Sequence, residues 1–255
     1  MRTIAIANQK GGVAKTTTAV NLGAGLALKG RQTLLIDMDP QANATFAVLG
    51  PRQVDGNVYD LLLKERPFTE VVHKTSQPRL DIIPSHIDLA ASEVELISQV
   101  GGQTQLKTKL LEAAEELNYD YILIDAPPSL GLLTINTLAA ADEVLIPVST
   151  SIFALNGIAM LENTIKRVRR GLDRPNLKIM GVLCTMFDNT NVARDVIDET
   201  RRHFGDTVFA TVIPKNVKLE EAHSRIESIF TYANDSKGAE AYRDLVEEIL
   251  AREYH

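Results

Sequence analysis

The 255-residue sequence predicts an α/β fold: a single doubly wound, mostly parallel sheet flanked by helices. Three observations lead there. Short β-branched runs recur along the chain, and most are apolar at every position, as strands covered on both faces must be. Longer segments with helical spacing separate them, so strand–helix–strand units follow one another and successive strands run parallel. The first strand also passes through a glycine-rich turn directly into a helix.

In chain order, the first strand is read at Ile4–Ala7 and the first helix at Lys15–Leu28, ended by Gly30 as a C′ residue. Strands follow at Thr33–Asp37 and Leu80–Ile83, then helices at Asp88–Gln99 and Gln105–Leu117, the second rich in Leu, Ala, Glu and Lys. The strand Tyr121–Asp125 leads to the helix Leu132–Ala140, and the strand Val144–Val148 to the helix Ala154–Arg170. Ile179–Cys184 and Val208–Val212 are the last strands, with helices at Val192–Phe204 and Gly238–Arg252. No repeat, low-complexity tract or Pro/Ser-rich linker interrupts the alternation, so residues 1–255 are expected to form one domain.

Composition removes several function classes. With 27 Lys+Arg against 33 Asp+Glu the net charge is −6, so any nucleic-acid site has to be a local patch. The one cysteine, Cys184, forms no internal disulfide or multi-cysteine zinc site; it points to a reducing compartment, and in an apolar strand it reads as an inert core thiol. His73, His86, His203, His223 and His255 lack metal-ligand spacing. No run of 18 apolar residues exists, and the opening MRTIAIANQKGG is too short for a signal h-region. No Ser–His–Asp or Cys–His spacing supports a covalent protein nucleophile.

The strongest signal is Lys10-Gly11-Gly12-Val13-Ala14-Lys15-Thr16-Thr17, between the first strand and the first helix. Glycines let successive N–H groups point inward, the helix N-terminus adds partial positive charge, and Lys15 reaches the terminal phosphates of a polyphosphate. Thr16 offers a hydroxyl to Mg²⁺ and Thr17 a further phosphate contact. The common G-x-x-x-x-G-K-[ST] pattern is not met, because Gln9 and Ala14 stand at its two glycine positions. Two later strands end in carboxylates, at Asp37-Met38-Asp39 and at Asp125, on the edge where open α/β sheets bind ligands. Any one such Asp could merely cap the next helix or turn. As a set flanking a phosphate loop they are assigned to Mg²⁺ and water: Asp125 to the metal shell, Asp39 to the attacking water, Asp37 to the metal's neighbourhood.

The segments KGGVAKTT, DMDPQANAT, YILIDAPPSLGLLTINTL and TVIPKNVKLEEA resemble, in order and over essentially the full chain, the ParA/Soj family of partitioning ATPases. That family lies in the deviant Walker A class of P-loop NTPases, the MinD/ParA superfamily. The resemblance implies an Mg²⁺-dependent, slow ATPase that closes an ATP-sandwich homodimer in the cytoplasm, on the nucleoid. It implies that the dimer binds DNA non-specifically and that a ParB-type centromere-binding protein stimulates turnover. Lys10 would then reach the partner's nucleotide and act like an arginine finger. Pro214 and Asn216 would contact the adenine, and Asp39–Thr45 and Asp125–Gly131 would serve as switches. Lys215 and Lys218, in the family's IP[KR]NV[KR]L segment, would bind DNA, with Arg194, Arg225 and Lys237 as further candidates.

Departures from the family pattern temper this. Ala14 stands where the family has Gly; a methyl group there is tolerable only at negative φ with nothing near the Cβ. Nucleotide-gated DNA binding with little hydrolysis is therefore an alternative, as is positioning of a non-DNA cargo. His223 replaces a Pro, and the Arg found after TMFD is missing from Met186–Asn191. The acidic final helix argues against the membrane anchoring of MinD relatives. Cys184 alone argues against a shared iron–sulfur cluster, and nine residues before the loop leave no room for a helix-turn-helix.

Overall fold

The computed structural model describes residues 1–151 and 154–254; His255 lies outside the described residues. The strands are β1 Arg2–Ile6, β2 Thr33–Asp37, β3 His73–Lys74, β4 Leu80–Ile83, β5 Tyr121–Asp125, β6 Glu143–Ser149, β7 Lys178–Phe187 and β8 Val208–Pro214. The helices are α1 Lys15–Leu28, α2 Asn43–Leu49, α3 Val58–Leu63, α4 Phe68–Val71, α5 Leu89–Ser98, α6 Gln105–Glu112, α7 Leu132–Ala140, α8 Ala154–Gly171, α9 Asn191–Phe204, α10 Val217–Ser224, α11 Ile229–Tyr232 and α12 Lys237–Ala251. All eight strands join one sheet in the order β3-β4-β2-β5-β1-β6-β7-β8. Every pairing is parallel except β3 with β4, so the doubly wound, mostly parallel expectation holds.

The unbroken apolar strands follow from burial on both faces. Ile4 and Ile6 of β1 join a core beneath α1 and α12, whereas Ala5 enters the core beneath α8 and α9. In β5, Leu123 points to the α1/α12 side and Ile122 and Ile124 to the side of α3, α5 and α6. Each fully buried Leu or Ile contributes roughly 1.5–3 kcal/mol. Helix α1 lies close on α12: a Cβ added at Gly25 would stand 2.6 Å from Val246 Cγ2, so this crossing requires glycine.

Several boundaries differ from the sequence reading. Helix α6 stops at Glu112 rather than Leu117, and turns carry the chain to β5. The short elements α2, α3, α4, α10, α11 and β3 were not expected at all. Cys184 is buried in β7, where desolvation pushes its thiol up to about 11, consistent with an inert core residue.

Candidate functional site

The carboxyl ends of β1, β2 and β5 meet at one edge, with Asp37 and Asp125 at paired register positions. Between β1 and α1 the chain forms a loop whose Gly12 takes φ +69° and whose Ala14 takes φ +62°. The condition set for a methyl group at position 14 is thus not met: Ala14 adopts the left-handed conformation that glycine would take freely. Its carbonyl still accepts the Thr18 N–H at 2.9 Å and starts α1. Thr185 at the end of β7 donates its hydroxyl to the Val13 carbonyl at 3.1 Å, fixing the loop's flank.

An open cleft of about 560 Å³ runs from this loop to the β8–α10 connection. Gly11, Gly12, Ala14, Lys15, Thr16, Thr17, Asp39, Pro214, Lys215 and Asn216 line it, so segments about 200 residues apart in sequence meet there. Phe46, Met186, Ile213, Leu219 and His223 also line it and were not among the residues singled out for the nucleotide. Lys10, Val13, Asp37 and Asp125 stand outside the lining. Lys10 lies on the loop's outer side with its ammonium on Ser151 Oγ at 2.8 Å.

Behind the loop, Thr16 Oγ1 donates to Asp125 Oδ2 at 2.7 Å, while Asp125 Oδ1 is buried with no hydrogen-bond partner. An orphaned carboxylate oxygen beside a threonine hydroxyl suits a divalent cation or its water, so these residues fit magnesium. Burial raises the Asp125 carboxyl well above the ordinary range, with the neighbouring Asp37 charge adding to it. Lys15 is buried too; desolvation lowers its pKa, against the pull of Asp125 and Asp39.

Of the two readings open for Asp37, the structure shows capping. Its Oδ2 accepts both the backbone N–H and the hydroxyl of Thr45 at 2.8 Å, and its Oδ1 accepts the Asp39 N–H at 3.1 Å. Asp37 therefore anchors the first turn of α2, and its Oδ1, which accepts a single hydrogen bond, keeps acceptor capacity toward the site. Asp39 Oδ1 takes the Gln41 N–H at 3.0 Å. The segment after Asp125 is held from α5: Glu93 Oε1 accepts the Leu133 N–H at 3.2 Å, an anion on the α7 N-terminus.

The expected DNA-contacting residues are scattered over several elements. Lys215, Lys218, Arg194, Arg225 and Lys237 are all exposed. Lys218 is ion-paired to Glu221 at 2.8 Å, and Arg194 bonds the Asn189 and Asn191 side chains. Lys237 starts α12 next to Gly238, which lies against Asn216 and Leu219. No helix among the described residues is long and apolar enough to cross a membrane, and none of them cluster as a metal site of three or more His, Cys, Asp or Glu.

Comparison with known proteins agrees with this architecture. The model of an AAA domain family matches residues 1–179. The chain is 48% identical over 250 residues to the sporulation initiation inhibitor protein Soj of Bacillus subtilis, covering 97% of this chain and 98% of Soj. It is 48% identical over 255 residues to the chromosome partitioning protein ParA of Myxococcus xanthus, covering 99% and 89%. Among solved structures, a cobyrinic acid a,c-diamide synthase from Mycobacterium smegmatis with a bound ATP analog and magnesium superposes with a TM-score of 0.85 at 34% identity, covering 100% of this chain and 96% of that one. With the phosphate loop, the carboxylate-tipped strands and full-length identity in agreement, the chain belongs to the Soj/ParA family of P-loop partitioning ATPases.

Proposed function

We propose that the chain is one ATPase unit that binds Mg–ATP in the cleft, pairs face to face with a second copy, and holds DNA non-specifically until hydrolysis releases it. A ParB-type protein would stimulate that release, and the cycle would take place in the cytoplasm on the nucleoid. The observation carrying this reading is the unpartnered Asp125 oxygen beneath a glycine-rich loop that also presents Lys15 and Thr16. Thr16 and Asp125 would hold magnesium, directly or through water; when bound, the ion neutralises phosphate charge. The loop amides and Lys15 bind and orient the phosphates, and Thr17 adds a hydroxyl. Asp39, at the cleft wall, positions a water. Lys10, free of any carboxylate among the described residues, swings from Ser151 toward the partner's phosphates. Pro214 and Asn216 contact the base, and Lys215 and Lys218 carry the DNA contact with Arg194, Arg225 and Lys237 around them. Lys218 then exchanges Glu221 for a DNA phosphate.

Sedimentation with ATP, ADP or no nucleotide, each with and without DNA, tests this. The expected result is a dimer with ATP alone and DNA co-sedimentation only in that state; a monomer under all conditions overturns it. The left-handed Ala14 favours a second reading, in which strain in the loop leaves binding intact but hydrolysis very low. Turnover that appears only in Ala14→Gly would select that reading.

A further inference from the structure

Beyond the residues assigned above, we propose that Phe46 and His223 form an aromatic wall that stacks on the nucleobase. This rests on the reading of the cleft as a nucleoside triphosphate site. The phosphate end of the cleft is built from backbone amides, Lys15 and two threonines, which suit the phosphates and their cation but give a base no surface. The other end needs an apolar surface for a planar ring, and Ile213, Leu219, Phe46 and His223 supply it.

Two features single out the aromatic pair. The rings lie nearly parallel in a loose stack, with an interplanar angle of 25° and centroids 6.4 Å apart, and both line the cleft. Phe46 is also 42% exposed, the one aromatic ring among the large exposed hydrophobics of the described residues, and its exposed face borders the cleft. Leaving that ring in water is unfavourable, and a stacked base would cover it. Burial alone lowers the His223 pKa, which keeps the imidazole neutral and suited to stacking. The two rings come from different places: Phe46 from α2, directly after the Asp39–Thr45 segment, and His223 from the last turn of α10. The residues just beyond the two helices also touch, where Ile226 packs onto Gly50. The wall is therefore held from both sides.

The test is calorimetric binding of Mg–ATP and of magnesium tripolyphosphate, which has the phosphates without the base. Wild type is compared with Phe46→Leu, His223→Ala and the ring-preserving Phe46→Tyr and His223→Phe. Loss of a stacking ring is expected to weaken Mg–ATP about tenfold and leave tripolyphosphate unchanged, with both ring-preserving variants near wild type. An unchanged Mg–ATP affinity overturns the proposal, as does an equal loss for both ligands, which would mean a disturbed phosphate loop or fold. If wild type binds neither ligand, the nucleotide reading itself fails; if it binds both equally, only the stacking wall does.

Discussion

Ala14 is where a single side chain sets the character of the site. An L-residue in the left-handed region is destabilised by roughly 1–2 kcal/mol relative to its ordinary conformations, while glycine there loses only extra unfolded-chain entropy. With φ at +62°, Ala14→Gly is expected to raise global stability by about 1 kcal/mol. A higher urea midpoint at unchanged slope would show it, and an unchanged or lower midpoint would mean the loop relaxes around the methyl group. Sequence alone located Ala14 but not its φ, because backbone conformation in a turn is set by what encloses it. Lys15, Thr16 and Asp125 were legible because a phosphate loop and a strand-end carboxylate each have a local signature. Asp37 was ambiguous for a physical reason: capping and metal binding ask for the same side chain, and the Thr45 contacts show the first without using up its acceptor capacity. Phe46 and His223 carry no motif, and only the tertiary fold brings them to one wall.

At the scale of elements, the long helices and buried strands were readable because their periodicity is set by the two cores they touch. The helices missed between residues 43 and 71, and at 217–232, are eight residues or shorter. Segments of that length hold too few turns for a periodic signal and depend on remote partners. Helix α11, for example, begins where Asn21 Oδ1 of α1 accepts the Ile229 N–H at 2.8 Å. The edge strand β8 shows the same dependence. Its register against β7 slips between Val208 and Val212, and the Glu248 carboxylate of α12 accepts the Ala210 and Thr211 N–H groups and the Thr211 hydroxyl at 2.9–3.1 Å. Arg252 bonds the same carboxylate and lies over the Phe209 ring. An irregular edge strand with the Ala210 and Thr211 N–H groups engaged is a poor template for pairing with another chain. Glu248→Ala is expected to lower stability by about 1–2 kcal/mol, the loss discounted for partial exposure, and to speed amide exchange at Ala210 and Thr211 before other β8 amides. Unchanged exchange at those two positions would show that Glu248 is incidental to the bulge.

For the whole molecule, charge would set the two proposed associations against each other. Each chain carries a net charge of −6, so two copies closing face to face would repel at long range, and two bound nucleotides would add to that. What would hold the proposed pair is short-range: Lys10 reaching a phosphate, and apolar or backbone contact around the loop, which a Debye length of about 8–10 Å at 0.10–0.15 M salt screens little. The proposed DNA binding would have the opposite dependence, because each lysine or arginine on a phosphate releases a counterion and such affinity falls steeply with salt. Raising salt from 50 to 200 mM in the presence of Mg–ATP is therefore expected to hold or strengthen the dimer while DNA dissociates from it. Analytical sedimentation of the labelled protein follows both in one experiment. If dimer and DNA complex disappear together as salt rises, the two copies are joined through the nucleic acid rather than through their nucleotides. A dimer that outlasts the DNA complex places nucleotide-driven pairing first and DNA capture second, and identifies DNA release as the step that salt can isolate.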